Sequence, residues 1–196
     1  AYGYLDHRDE MISNLKTEGE WQDYIDSVRE KLKTAFGPLP EKRPLNARIT
    51  GIFTHLDITV EKIVFESRPG FFVTAALFKR SGSSGRLPAI LYLCGHTTDG
   101  YKGVYQTPIL NLARKGFAVL AIDPVGQGER KQYTEAEQIG GPTNEHSYPG
   151  LQYLPLGRTM AMVRLWDGIR AIDYLSSRPD VDSSRIGVVG RSGGGT

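Results

Sequence analysis

The chain has 196 residues, 39% of them apolar, which is enough to bury a core and fits one domain or one domain with an N-terminal addition. Twenty-four Lys and Arg against 22 Asp and Glu leave a formal charge of only +2, and no stretch gathers the basic residues on one face, so no nucleic-acid partner is expected. The longest apolar run, Leu87 to Cys94, is far short of the roughly 20 residues of a membrane helix, so no membrane partner is expected either.

The first element in chain order is a helix. Thr17 and Glu20 have capping-box spacing, and Trp21, Tyr24, Ile25, Val28, Leu32 and Phe36 recur at helical intervals up to Gly37-Pro38. This places an N-terminal helical segment at residues 1–45, its aromatic stripe docking on a main domain at 46–196. Ala1 in place of Met points to removal of an earlier segment, so a secreted or periplasmic location is favoured over a cytoplasmic one.

Asp57 to Phe65 and Phe71 to Lys79 read as an antiparallel hairpin across Ser67-Arg68-Pro69-Gly70. Beyond it, Ala89–Cys94 and Phe117–Ile122 are continuous apolar strands separated by a helix over Thr107–Lys115. Arg158–Ser177 is the strongest helix signal, and Arg185–Val189 is a third apolar strand. Strands of this kind alternating with helices imply a parallel sheet covered on both faces. The Gly-, Pro- and Tyr-rich stretch at 123–157 is too long for an ordinary loop and reads as a lid or binding loop.

The last strand runs into Gly190-Arg191-Ser192-Gly193-Gly194, a G-x-S-x-G. A nucleophilic serine needs a strained strand-to-helix corner to project its hydroxyl, and flanking glycines remove the Cβ atoms that would clash there. Ser192 is therefore the expected nucleophile, with the Gly193 backbone N–H facing the developing oxyanion. Two other readings compete: a tight glycine turn and a phosphate loop. A dinucleotide fingerprint opens its domain, whereas this one comes last, and no G-x-x-x-x-G-K-[ST] is present.

The loop after the first parallel strand, Cys94-Gly95-His96-Thr97-Thr98-Asp99-Gly100, would supply the second oxyanion N–H, from His96. Thr97, Glu129, Arg130, His146 and Arg191 are candidate pocket-lining residues. Glu129 and Arg130 read equally well as a loop-fixing pair, and His146 as a solvated loop histidine. Asp167, Arg170 and Asp173 read as ion pairs that orient the long helix. Cys94, the single cysteine, reads as a buried small hydrophobe, and no His/Cys/Asp/Glu cluster has metal-ligand spacing. No cofactor is expected.

Three segments carry a family resemblance: Asp123-Pro124-Val125-Gly126-Gln127-Gly128-Glu129-Arg130; Asp167-Gly168-Ile169-Arg170-Ala171-Ile172-Asp173-Tyr174-Leu175; and Arg178 to Gly187 leading into the serine corner. Over residues 60–196 the chain resembles the α/β-hydrolases, and among them the acetyl xylan esterase-like carbohydrate esterases. The resemblance implies an α/β-hydrolase fold, mainly parallel with an antiparallel N-terminal hairpin. It also implies a serine esterase acting on a carbohydrate ester, with acetylated plant polysaccharide expected and methyl or glucuronoyl esters of sugars as near alternatives. The family usually has Gln or another residue after the serine, where this chain has Gly193. In this fold the acid and the histidine follow the serine, so both are expected beyond Thr196. A continuation of the polypeptide, carrying further strands, is expected to cover the strand at 185–190 and complete the fold. A prolyl-oligopeptidase-like peptidase and a non-catalytic module on the same scaffold remain alternatives.

Overall fold

Ala118, Leu120 and Ile122 point into one apolar cluster and Val119 and Ala121 into another, so the strand at 118–122 is buried on both faces. The computed structural model describes residues 2–133 and 139–195, so the part of the expected lid at 134–138 lies outside the described residues. Contacts divide the chain into two compact units, Ala1–Pro38 and Leu39–Thr196.

The first unit holds two helices, α1 (Tyr2–Ser13), which the periodicity did not announce, and α2 (Glu18–Phe36). The capping box at α2 is formed on both sides: Thr17 Oγ1 accepts from Glu20 N at 3.2 Å and Glu20 Oε2 from Thr17 N at 2.8 Å. Neither helix buries a side chain.

The second unit is built on one six-stranded sheet. In chain order it comprises β1 (Arg48–His55), β2 (Ile58–Arg68), β3 (Phe71–Arg80), β4 (Leu87–Leu93), α3 (Gln106–Arg114), β5 (Ala118–Ile122), α4 (Asn144–Tyr153), α5 (Met160–Ser177) and β6 (Val181–Gly190). The strand order is β1-β2-β3-β5-β4-β6, with β5-β4 and β4-β6 parallel and the other three pairings antiparallel. Antiparallel pairing thus extends beyond the expected hairpin, and the sheet is mixed. Ile109 and Ala113 of α3 cover one face, and Ala171, Tyr174 and Leu175 of α5 the other. Full burial of a side chain such as Phe65 stabilises by about 1.5–3 kcal/mol. Trp166 is anchored as well as buried, donating from Nε1 to Ser67 O at 2.7 Å.

One feature departs from the sequence reading. The 123–157 excursion contains a helix, α4, despite Pro149 in its interior. The strand at 185–190 forms an edge of this sheet: among the described residues no strand pairs with the far side of β6, and Val188 and Val189 are exposed on the side where a continuation was expected. The Arg178-Pro179-Asp180 segment leading into β6 is structural. Arg178 reaches Glu61 and Asp180 at 2.8 Å each, and Lys79 bridges the same two carboxylates.

The sheet register decides where the connecting loops emerge. Leu93 of β4 lies opposite both Ile122 of β5 and Gly190 of β6. The loops leaving these three parallel strands, at Cys94, Asp123 and Arg191, therefore emerge side by side.

Candidate active site

β6 ends in extended backbone at Arg191, and Ser192 then turns to φ 54°, in the left-handed region that non-glycine residues rarely adopt. Such strain persists only where the surroundings enforce it. Here Gly194 N donates to Arg191 O at 3.0 Å and Gly195 N to Ser192 O at 2.7 Å, closing one 3₁₀ turn. The two outer glycines are sterically required. A Cβ on Gly190 would run into the Gly194 carbonyl, and one on Gly194 into the Leu93 carbonyl. The β4 loop presses against the same corner: a Cβ on Gly95 would stand 2.7 Å from Arg191 O and 3.0 Å from Ser192 Cβ. Tyr105 fixes that loop from below, its Oη accepting from Gly95 N at 3.0 Å.

His96 and His146 meet here. His96 Nε2 is 2.8 Å from His146 Nδ1, and His146 Nε2 is 2.5 Å from Val125 O. A carbonyl can only accept, which assigns the proton of His146 to Nε2 and makes its Nδ1 an acceptor. His96 therefore donates from Nε2 and keeps an unprotonated Nδ1. Burial pushes His146 down to about 4, and burial together with the Arg164 charge lowers His96. Both rings are neutral near pH 7. His146 is thus a buried partner of His96 on α4 rather than a solvated histidine.

Arg164, which the sequence reading did not single out, completes the cluster. A Cβ on Gly193 would lie 2.8 Å from His96 Cε1 and 2.9 Å from Arg164 Nη1. The space vacated by the missing side chain at 193 is thus occupied by an imidazole and a guanidinium. Arg164 Nη2 donates to Cys94 O at 3.3 Å.

The other candidates sit apart from this cluster or serve the backbone. Thr97 Oγ1 accepts from Asp99 N at 3.1 Å within its own turn, and the Arg191 side chain is exposed. Arg130 is buried and donates from Nη1 to Asp123 O and to Asp167 Oδ2, each at 2.8 Å. Exposed Glu129 pairs instead with Lys102. Glu129 and Arg130 are therefore not partners of each other; each fixes the loop to a different neighbour. Asp123 organises that loop, accepting from Thr74 Oγ1, Tyr101 N and Glu129 N at 2.8–3.2 Å. Buried Gln127 ties it to the β4 loop by donating to Gly95 O at 3.0 Å. Cys94 is buried, its thiol pushed up to about 12 chiefly by burial, which removes it as a nucleophile near neutrality. A cavity of about 250 Å³ borders Val125, Tyr153 and Met160, but none of the sequence-predicted site residues lines it. Among the described residues no group of three or more His, Cys, Asp or Glu could hold a metal, and no helix is long and apolar enough to cross a membrane.

Comparison with known proteins decides the family. The model of the family "Acetyl xylan esterase (AXE1)" matches residues 41–196. The chain belongs to the acetyl xylan esterase family. YtaP of Bacillus subtilis (strain 168) is 29% identical over 183 residues, covering 85% of this chain and 56% of YtaP. Methylesterase BT1017 superposes with a TM-score of 0.73 at 24% identity, over 97% of this chain and 39% of that one. Acetyl xylan esterase 1 from Thermoanaerobacterium sp. JW/SL YS485 gives 0.63 at 22%, over 85% and 50%. These likenesses establish the α/β-hydrolase fold for a family member that spans 56% of one curated relative it matches and 30% of another.

Proposed function

We propose that the protein is a serine esterase that hydrolyses esters of carbohydrates, acetyl groups on plant polysaccharide or xylo-oligosaccharide foremost, through an acyl-enzyme on Ser192. The observation that carries this reading is the left-handed backbone of Ser192 at the end of β6, with the Gly95-His96 loop packed against it. Family membership and the esterases among the structural neighbours support it.

Ser192 Oγ bonds to the ester carbonyl carbon, and the carbonyl oxygen becomes an oxyanion between the backbone N–H groups of His96 and Gly193. Loss of one such donor typically costs about 2.7–4 kcal/mol in the barrier. The C–O bond to the sugar breaks, the alcohol leaves with a proton, and water then releases the acid from Ser192. His146 commits both ring nitrogens to His96 and Val125, so we do not assign it as the base. We place the general base and its carboxylate in sequence beyond Thr196, in keeping with the greater length of the relatives.

The test uses the full-length protein: fluorophosphonate labelling mapped by mass spectrometry, with turnover of p-nitrophenyl acetate. An adduct on Ser192 and loss of turnover in Ser192→Ala are expected. Undiminished turnover in that variant, or an unlabelled Ser192, rejects the reading.

A further inference from the structure

Among the described residues Arg164 is a cation without a carboxylate of its own. Buried Arg130 and Arg170 and half-buried Arg178, elsewhere in the second unit, each hold a carboxylate within 2.8 Å. Arg164 is half-buried, burial lowers its pKa, and among the described residues it forms no ion pair. Its hydrogen bond to Cys94 O is long, at 3.3 Å. Asp167, one turn along α5, is the carboxylate whose charge it feels, but that carboxylate bonds Arg130. Glu145, beside His146, spends Oε2 on Gln132 N. Desolvating a guanidinium without a counter-charge is costly, and the cost is recovered when an anion arrives.

The position of this charge is specific. Nη1 stands where a side chain at 193 would begin, one residue from Ser192. Its imidazole neighbour is neutral, and among the described residues Asp167, already bonded to Arg130, is the carboxylate whose charge reaches it. A planar guanidinium with Nη1 beside position 193 and Nη2 weakly held matches the two oxygens of a carboxylate.

We propose that Arg164 is an anion subsite that receives a carboxylate carried beside the scissile ester, making esters on acidic saccharides the preferred substrates. A permanent charge of this kind binds the ground state, whereas the transient oxyanion is assigned to two backbone N–H groups. The inference rests on the esterase reading for its substrate, and Gly193 is its structural condition.

The experiment compares acetylated xylotriose with and without a glucuronate side group, using the full-length protein and its Arg164→Gln and Arg164→Lys variants. Arg164→Gln should raise KM for the acidic ester at least tenfold more than it raises KM for the neutral ester, with the ratio of the two kcat values changed by no more than about twofold. Arg164→Lys should recover part of the loss. An equal loss on both esters, or none on the acidic one, overturns the subsite. Calorimetry of the deacetylated acidic trisaccharide with Ser192→Ala provides the independent arm. Binding that weakens at least tenfold when Arg164→Gln is added supports the subsite even if neither ester is hydrolysed, in which case the esterase reading alone fails. Absence of binding before that change overturns the subsite.

Discussion

His96 Nε2 lies 2.8 Å from His146 Nδ1, and the proton between them belongs to His96. The ordering follows from the Val125 carbonyl, which demands the other proton of His146. Two neutral rings thereby join α4 to the loop beside Ser192, residues fifty positions apart in sequence. A second proton on His146 would turn its Nδ1 from acceptor to donor and set it against His96.

This gives a pH dependence with a defined sign. His146 sits at about 4 in the folded protein, below its ordinary value near 6.5, so the unfolded chain takes up the proton first. Its contribution to stability is intact above about pH 6.5 and is lost as pH falls towards 4. The measured quantity is Tm against pH for the wild type and for His146→Gln. The gap between them should be largest near neutrality and shrink towards pH 4; a constant gap contradicts the buried neutral assignment.

The two loop-fixing ion pairs should differ sharply in weight. Arg130 and Asp167 are each 3% exposed, so Asp167→Ala strands a buried guanidinium and should cost about 3–5 kcal/mol in urea denaturation. Lys102 and Glu129 are 41% and 55% exposed, and Glu129→Ala should cost under about 1 kcal/mol. Equal costs would refute the ranking.

Glycine substitutions along the end of β6 separate steric need from composition. Gly190→Ala and Gly194→Ala drive a methyl into backbone carbonyls that cannot rotate away, and each should destabilise by about 1–3 kcal/mol or more. A methyl on Gly187 would meet nothing within 4 Å, so Gly187→Ala should be neutral or slightly stabilising. Thermal shift on the three variants checks the order.

An exposed strand edge bearing Val188 and Val189 is a template for pairing with another copy. Prepared as these 196 residues, the chain should self-associate with rising concentration in sedimentation velocity, and Val188→Lys should suppress it. A monomer at high concentration in both forms would show that this edge does not recruit partners.

Much of this architecture was legible because it is encoded locally. Thr17 and Glu20 mark a helix start by spacing alone, and the serine corner is marked by its G-x-S-x-G spacing, although only Gly190 has its steric reason nearby, at the Gly194 carbonyl. α4 was hidden because Pro149 and Gly150 argue against a helix; its docking is instead made by tertiary contacts, Glu145 to Gln132 N and His146 to Val125 O. Arg164 was invisible for a related reason. On a helix of mixed pattern one arginine carries no signal, and its significance comes from an empty position at Gly193, 29 residues later, that only the fold brings near.

The strand order also sets when this corner can exist. β5 lies between β3 and β4, and among the described residues β6 pairs with β4 alone, so the part of the sheet from β1 to β5 can close before β6 arrives. The groups around Ser192 come from positions near 95, 146, 164 and 192, and long-range closures of this kind are the slow ones in folding. With the proposed nucleophile at this corner, pulse-labelling with a serine-directed probe during refolding should mark Ser192 in a phase that trails the protection of β2, β3 and β5.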